Sequence, residues 1–237
     1  MDVVIDRRTE LATNLENVRR DIAAAASLAG RDPNEITLIG VTKNFPASDA
    51  ALLADLGLTD LGENRAQEAE RKAEEFSALT DTRITWHFIG QLQRNKVRSV
   101  IAFADVIQSV DRGSLVQTLK TEIEHSGRSP LVLIQINLEA QAEGRGGAQE
   151  TEILELADSI AQAGIQLAGV MAVAPLSEDP LRAFSRLAKL HEHLLQIHPT
   201  ATWRSAGMSG DFQEAINSGA THVRLGASIL GKRHLLQ

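Results

Sequence analysis

Residues Ile36–Asn44 read ITLIGVTKN, an almost uninterrupted apolar run that ends abruptly in Thr42, Lys43 and Asn44. A strand that is apolar on both faces is typical of a parallel sheet covered by helices. Comparable runs recur along the chain, and they predict eight strands: Ile36–Val41, Thr59–Leu61, Ile84–Ile89, Val106–Val110, Leu131–Leu138, Leu167–Val173, Thr202–Ser205 and Val223–Leu230.

Amphipathic patterns with helical spacing lie between these runs. Eight strand–helix units in about 200 residues fit a closed (β/α)8 barrel of the TIM type. A doubly wound sheet is the alternative, but it normally uses fewer strands, and no GxGxxG fingerprint follows the first one. We therefore predict a single α/β barrel domain over residues 1–237, with an extra N-terminal helix. The predicted helices are Arg7–Leu28, Ala47–Leu56, Asn64–Phe76, Val116–Ile123, Thr151–Ala163, Leu181–Ile197 and Asp211–Asn217.

Composition excludes several classes of function. The 237 residues include no cysteine and no tyrosine, so cysteine nucleophiles, thiolate metal sites and tyrosyl acid–base groups are impossible. A net charge of −7 and an aromatic content of 3% argue against a nucleic-acid partner. No apolar run approaches the about 18 residues of a membrane span, and Met1–Glu10 lacks the apolar region of a secretory signal. We expect a cytoplasmic monomer that binds neither nucleic acid nor membrane.

The active face of such a barrel lies at the C-terminal ends of its strands. Lys43 directly follows the first strand, where it is either a solvated lysine or a partly dehydrated amine able to form a Schiff base. Glu63 and Asn64 follow the second strand, as ligand-facing groups or as the start of a surface helix. His87 lies in the middle of the third strand, where a lone histidine is more often a core residue than a catalyst.

Two glycine-containing loops follow the seventh and eighth predicted strands. The loop Ser205–Asp211 reads SAGMSGD and opens a short helix with Asp211 as its N-cap, and Val223–Ser228 contains Gly226. Loops at these two positions of a barrel frequently hold phosphate. A lysine together with a phosphate site suggests a phosphorylated aldehyde or ketone. Pyridoxal phosphate (PLP) and a sugar-phosphate aldolase substrate both remain open at this point.

The chain resembles the pyridoxal-phosphate homeostasis protein family, the short relatives of the alanine racemase barrel. The resemblance spans nearly the whole chain in the order of the family's motifs. It rests on Gly40–Lys43 (GVTK), Leu61–Glu68 (LGENRAQE), His87–Lys96 (HFIGQLQRNK), Gly207–Ser209 (GMS) and Val223–Gly226 (VRLG).

The resemblance implies a role for each matching residue. Lys43 corresponds to the lysine that holds PLP as an internal aldimine, and Arg224 to the residue that faces the pyridine nitrogen. The other implied cofactor-binding residues are Ser209, Gly226 and Ala227 at the phosphate, and Asn64 and Met208 along the cofactor. The family further implies a carrier or regulator in vitamin B6 balance, without turnover, whose possible partners are PLP-dependent apoenzymes.

The chain departs from the family's pattern at two places. Ala227 stands where the family often has threonine, so a side-chain hydroxyl to the phosphate is missing while the backbone N–H remains. Gly144–Gly147 reads GRGG where the family often has a loop like Ser-Lys-Ser-Gly. Arg145 would supply a positive charge there, but arginine cannot form a second imine.

Two enzymatic alternatives compete with the carrier. A PLP-dependent amino-acid racemase of the same barrel type would use a lysine and a tyrosine on opposite faces of its substrate, and this chain has no tyrosine. A Schiff-base aldolase would need a carboxylate or a second lysine beside Lys43. A cationic Arg224 also disfavours protonation of the ring nitrogen, which makes the cofactor a poorer electron sink.

Overall fold

The computed structural model describes residues 6–139 and 146–231. Its eight strands are parallel and close into one barrel, each strand pairing with the next in chain order and β8 pairing with β1. The predicted TIM-type barrel is therefore confirmed. The strands are β1 Thr37–Val41, β2 Asp60–Glu63, β3 Thr85–Phe88, β4 Val106–Val110, β5 Leu131–Gln135, β6 Leu167–Met171, β7 Trp203–Ser205 and β8 His222–Leu225.

Helices surround the barrel, and the extra N-terminal helix is present with its predicted bounds. The side chain of Asp6 caps this helix by accepting hydrogen bonds from the N–H groups of Arg8 and Thr9. The described helices are α1 Arg7–Leu28, α2 Ala47–Asp55, α3 Ala66–Ser77, α4 Val97–Phe103, α5 Gly113–Ser126, α6 Ile153–Gln162, α7 Pro180–Ile197, α8 Phe212–Asn217 and α9 Ala227–Leu230.

Three strand predictions extend too far. The run Leu131–Leu138 pairs only as far as Gln135, and Leu167–Val173 only as far as Met171. Most of the apolar residues beyond these ends are buried in loops, so the apolar run continues past the last residue that pairs with a neighbouring strand. The run Val223–Leu230 is wrong in kind, because β8 ends at Leu225 and the rest is helix α9.

The core has two layers, as expected when helices cover a closed sheet. The larger layer lies between the strands and the helices. A smaller apolar cluster, Val106, Leu133, Ala168 and Met171, lies apart from it. The barrel interior also holds polar side chains, among them His87, which is fully buried and bonded through both ring nitrogens as expected for a core histidine.

The expectations about the Gly144–Gly147 loop and about membrane-spanning segments can be compared only with the residues that the structure describes. Gly144 and Arg145 lie outside the described residues, so the predicted charge substitution stays a prediction. Within residues 6–139 and 146–231, no helix is long and apolar enough to cross a membrane.

Candidate functional site

A cavity of about 610 Å³ lies at the C-terminal ends of the strands, where the sequence predicts the active face. It brings together six of the seven predicted cofactor-binding residues, contributed by the segments after β1, β7 and β8. The lining residues are Val41, Lys43, Phe45, Ile89, Met208, Ser209, Gly210, Arg224, Gly226, Ala227 and Gly231.

Asn64, the seventh, lines a neighbouring cavity of about 410 Å³, together with Gln91 and Lys96. Its Oδ1 atom is buried and has no hydrogen-bond partner among the described residues. The backbone of Asn64 packs tightly against Gly90, where an added Cβ would lie 2.1 Å from the Asn64 carbonyl oxygen. Only glycine at position 90 permits this approach.

Lys43 lies in a tight turn after β1. The N–H of Thr42 donates to the carbonyl of Gly62 at 3.1 Å, and the N–H of Phe45 donates to the carbonyl of Thr42 at 3.1 Å. Asn44 adopts a φ of 65°, the left-handed region that asparagine tolerates better than most residues. Its N–H donates to Glu68 Oε1 at 2.7 Å. The backbone on both sides of Lys43 is therefore fixed.

Behind this turn lies a buried polar group, Thr42, Glu63, Glu68 and Lys72, which we call the exterior cluster because it lies between the barrel and α3. Lys72 Nζ donates to the Thr42 carbonyl at 2.7 Å and to Glu63 Oε1 at 2.5 Å. The Thr42 hydroxyl donates to the same Glu63 oxygen at 2.7 Å. Burial raises the pKa of Glu63, although the Lys72 ammonium and the two hydrogen bonds act in the opposite direction.

Arg224 rises from β8 into the floor of the cavity and is only 4% exposed. Its Nη1 donates to Ser205 Oγ at 2.8 Å, and its Nη2 donates to the carbonyl of Ala172 at 2.9 Å. Burial lowers the pKa of Arg224 to about 10, so the side chain remains cationic at neutral pH. Its orientation is set by these two acceptors, and its position gives the cavity a buried donor.

The loops after β7 and β8 form a cup at one side of the cavity. Ser209 and Ser228 place their hydroxyl oxygens 3.4 Å apart. A Cβ at Gly226 would lie 3.0 Å from the Val41 carbonyl oxygen, so the close approach of the two backbones favours glycine there. Asp211 occupies the N-cap position of α8 as predicted, but its carboxylate makes no capping bond to that helix and instead accepts from the N–H of Met208 at 2.6 Å.

Sequence reasoning missed Ser228 as a cup residue. The residue stands in the run interpreted as a strand, in which alternate side chains would point away from the cavity. Gly226, which directly follows β8, is the signal that could have placed Ser228 beyond the end of the strand.

Helix α1 supports the cup from outside. Arg7 Nη2 donates to the carbonyl of Leu230 at 3.1 Å, and Asn14 Nδ2 donates to the carbonyl of Ile229 at 3.0 Å. Arg7 also binds Asp49 of α2 at 2.6 Å and lies over the ring of Phe45, which lines the cavity. The extra helix therefore satisfies the C-terminal carbonyls of α9, groups that a helix leaves without internal partners.

Comparisons with known proteins agree on one family, although no family profile matches the chain. A pyridoxal phosphate homeostasis protein from Mycobacterium leprae is 40% identical, with 99% of this chain and 97% of that protein covered. The structure of PipY from Synechococcus elongatus with PLP bound is 33% identical with a TM-score of 0.76, covering 89% of this chain and all of that one.

Alanine racemase from Corynebacterium glutamicum is also similar, at 16% identity and a TM-score of 0.67 over 97% of this chain and 64% of that chain. That likeness shows the shared barrel fold alone. The identity to the mycobacterial relative and the near-complete coverage of both chains show family membership in addition to a shared fold. The chain belongs to the pyridoxal phosphate homeostasis protein family.

Proposed function

We propose that this chain binds pyridoxal 5′-phosphate through a covalent bond to Lys43 and carries or regulates the cofactor in vitamin B6 homeostasis, without turnover. The observation that carries the proposal is one cavity that joins a primary amine, a buried guanidinium and a glycine-containing cup with the hydroxyl of Ser209, whose oxygen lies 3.4 Å from that of Ser228. PipY, a solved relative at 33% identity, has been observed with PLP bound.

The residues of the cavity fit the three polar parts of PLP. Lys43 supplies the amine for the aldehyde carbon, and Arg224 supplies N–H donors for an unprotonated ring nitrogen. The cup offers the hydroxyls of Ser209 and Ser228 and the first N–H groups of α9, which have no acceptor within that helix. The backbone at Gly226 leaves room for a phosphate oxygen. When bound, PLP supplies an aldehyde that exchanges between amines, which is the property a carrier needs.

Reduction of the loaded protein tests the attachment. Protein incubated with PLP is expected to show a near-visible absorption band that borohydride removes, and mass spectrometry should then place the cofactor on Lys43. The variant Lys43→Ala should lose the band and keep part of its affinity, because the cup is carried by other loops. Lys96→Ala, in the neighbouring cavity, is the matched control. Attachment to Lys96 in the wild-type protein would contradict the proposal.

The phosphate cup has its own test. Ser209→Ala deletes one hydrogen bond to a charged group, worth roughly 1.5–3 kcal/mol, so PLP affinity should fall about tenfold to a hundredfold. Pyridoxal, which has no phosphate, should bind both proteins alike. Ser48→Ala, on the exposed surface of α2, controls for the loss of a hydroxyl. Equal losses for the two ligands would place the phosphate elsewhere.

The absence of turnover rests on the missing second base. Two-base racemisation needs a proton donor on the face opposite the lysine, and the chain has no tyrosine to supply it. His87 is already bonded through both nitrogens inside the barrel. Loaded protein mixed with L-alanine in heavy water should therefore form at most a trace of D-alanine, which chiral analysis measures together with exchange at Cα. Turnover at about 1–10³ per second, the usual enzyme range, would make the chain a racemase instead.

The cellular part of the proposal is a cytoplasmic monomer that delivers PLP to apoenzymes. Incubation of the loaded protein with a PLP-dependent apoenzyme should restore activity faster than the buffer-released cofactor does. Light scattering of the same sample measures its oligomeric state. Reactivation no faster than by free PLP would remove the delivery role and leave a store of cofactor.

A further inference from the structure

Five polar side chains form a continuous line of hydrogen bonds inside the barrel, which we call the interior chain. It starts at Arg224, whose Nη1 lies 2.8 Å from Ser205 Oγ. Ser205 Oγ lies 2.7 Å from Gln108 Oε1, and Gln108 Nε2 lies 2.9 Å from His87 Nδ1. His87 Nε2 lies 2.9 Å from Asp60 Oδ1, where the chain ends.

The interior chain crosses the barrel and is shielded from solvent except at its Asp60 end. Gln108 is on β4 and Ser205 on β7, strands that are not neighbours, so their hydrogen bond spans the interior. The three middle residues are fully buried, and only the Asp60 side chain, at the start of β2, is 21% exposed. A buried chain of this kind is rigid when every member is satisfied.

The charged residues at the two ends of the interior chain determine which atom donates in each of its hydrogen bonds. Asp60 is an acceptor, so His87 must donate from Nε2, and a neutral imidazole then accepts at Nδ1. Gln108 must therefore turn its amide N–H to His87 and its oxygen to Ser205. From the other end, Arg224 has only donors, so Ser205 accepts from it and gives its own hydrogen to Gln108. Both arguments give the same arrangement.

The charges that face the chain do not disturb this arrangement. Burial raises the pKa of Asp60, but the hydrogen bonds that its carboxylate accepts from His87 and Thr59 help to bring that pKa below its ordinary value. His222 is the nearest other titratable ring, 6.5 Å from that of His87. Burial lowers the pKa of His222 to about 3, which leaves it neutral at physiological pH.

We infer that Asp60, His87, Gln108 and Ser205 are positioning residues that hold the Arg224 guanidinium in one orientation at the cavity. Asp60 does not line the cavity, yet it supports the buried chain of hydrogen bonds from the end opposite Arg224. An atom that faces Arg224 must be an acceptor, because a guanidinium has only donors. That this atom is the ring nitrogen of PLP rests on the proposed function.

The first test uses the protein without cofactor. Nitrogen-15 NMR of the His87 ring should show Nε2 protonated and Nδ1 unprotonated in the wild-type chain. Asp60→Asn should keep this tautomer, because Arg224, Ser205 and Gln108 still fix it from the other end, whereas the double variant Asp60→Asn/Ser205→Ala removes both fixed ends and should lose the single tautomer. Asp60→Glu keeps a carboxylate and should retain it, and Asp21→Asn on the exposed face of α1 is the control. A proton on Nδ1 in the wild type would overturn the direction of the chain.

The second test compares PLP with its carbocyclic analogue, in which C–H replaces the ring nitrogen. Ser205→Ala removes an acceptor of Arg224, and Gln108→Leu removes the acceptor that holds Ser205; each should weaken PLP binding about threefold to tenfold, the size of one hydrogen bond, and leave the analogue unchanged. Equal weakening of both ligands, or of neither, would contradict the positioning role and leave a purely structural chain. If the wild type binds no PLP, the proposed function fails, while the NMR result still decides the direction of the chain.

Discussion

Strand β2 carries two carboxylates, Asp60 and Glu63, whose hydrogen bonds lie on opposite faces of the sheet. Asp60 and Glu63 lie three residues apart on β2, so their side chains point to opposite faces. Asp60 ends the interior chain that leads to Arg224, whereas Glu63 belongs to the exterior cluster behind Lys43. Each carboxylate therefore stands behind one of the two cationic residues of the cavity.

The two carboxylates differ in how their charge is supported. Burial raises the pKa of Asp60, but hydrogen bonds from His87 and Thr59 help to bring that pKa below its ordinary value. The pKa of Glu63 is raised because burial dominates: its side chain is fully buried, and its Oε2 has no hydrogen-bond partner among the described residues. Asp60 is partly exposed and hydrogen-bonded to His87, so its ionised form costs little free energy. Glu63 is fully buried beside Lys72, and only one of its two carboxylate oxygens has a hydrogen-bond partner, so its ionised form is less well stabilised.

Removing the cation of the exterior cluster should give the largest effect. Lys72→Met leaves the Glu63 carboxylate buried without its ammonium, and breaking such a pair costs about 3–5 kcal/mol of unfolding free energy. Urea unfolding followed by circular dichroism measures the loss. Lys189→Met, on the exposed surface of α7, should change stability by less than about 0.5 kcal/mol.

The double variant Glu63→Leu/Lys72→Met sharpens the same comparison. Replacing both members of a buried pair by apolar groups is often close to neutral, so the double variant should be more stable than Lys72→Met alone. If Lys72→Met itself loses less than about 1 kcal/mol, the exterior cluster does not hold a buried charge at all.

The sequence alone predicts the barrel and most of the cavity, because both follow from local pattern. Apolar strands with helices between them predict the closed sheet, and the rule that barrel sites lie at strand C-termini selects Lys43 and the cup loops. The end of β8 escapes this reasoning because Ile229 and Leu230 continue its apolar run in helix α9. An apolar run predicts which residues are buried, and at the end of β8 the buried residues continue beyond the strand into the helix.

The interior chain could not be predicted from sequence for a different reason. Gln108 and Ser205 are 97 residues apart and meet only because the barrel closes. Each alone is an ordinary polar residue in a strand. Asn64 is a case in which a local motif predicts a cofactor contact. In the structure its backbone packs closely against Gly90, and the residue lines the neighbouring cavity.

The opposite pKa shifts of the two carboxylates predict opposite pH dependence. Asp60 ionises more readily in the folded state, so it contributes stability above 3.8 that is lost as pH falls through its lowered pKa. The stability lost in Asp60→Asn should therefore shrink in acid. Glu63 binds its proton more readily when folded, so its ionisation costs stability, and that cost disappears as pH falls toward 4.5.

The wild-type advantage over Glu63→Gln should consequently grow over the same descent from neutral pH. Urea unfolding of both variants and the wild type, repeated from neutral pH down to about pH 2 so that it passes through the lowered pKa of Asp60, gives the two slopes. Slopes of the same sign would show that the two faces of β2 provide similar environments for a carboxylate, and the contrast between them would be lost.

The smallest effect is expected at Asn44, and it tests how the exterior cluster reaches Lys43. The contacts of the cluster with the turn include the Thr42 carbonyl and the Asn44 N–H, which are backbone groups. Asn44→Gly keeps that N–H and adopts the φ of 65° without strain, while the more flexible glycine loses more entropy on folding. These two effects oppose each other, so stability should change by less than about 0.5 kcal/mol and PLP affinity should stay the same. Glu68→Gln, which weakens the acceptor of that N–H, should lower the affinity more than Asn44→Gly does. The reverse order would mean that the asparagine side chain, and not the exterior cluster, positions Lys43.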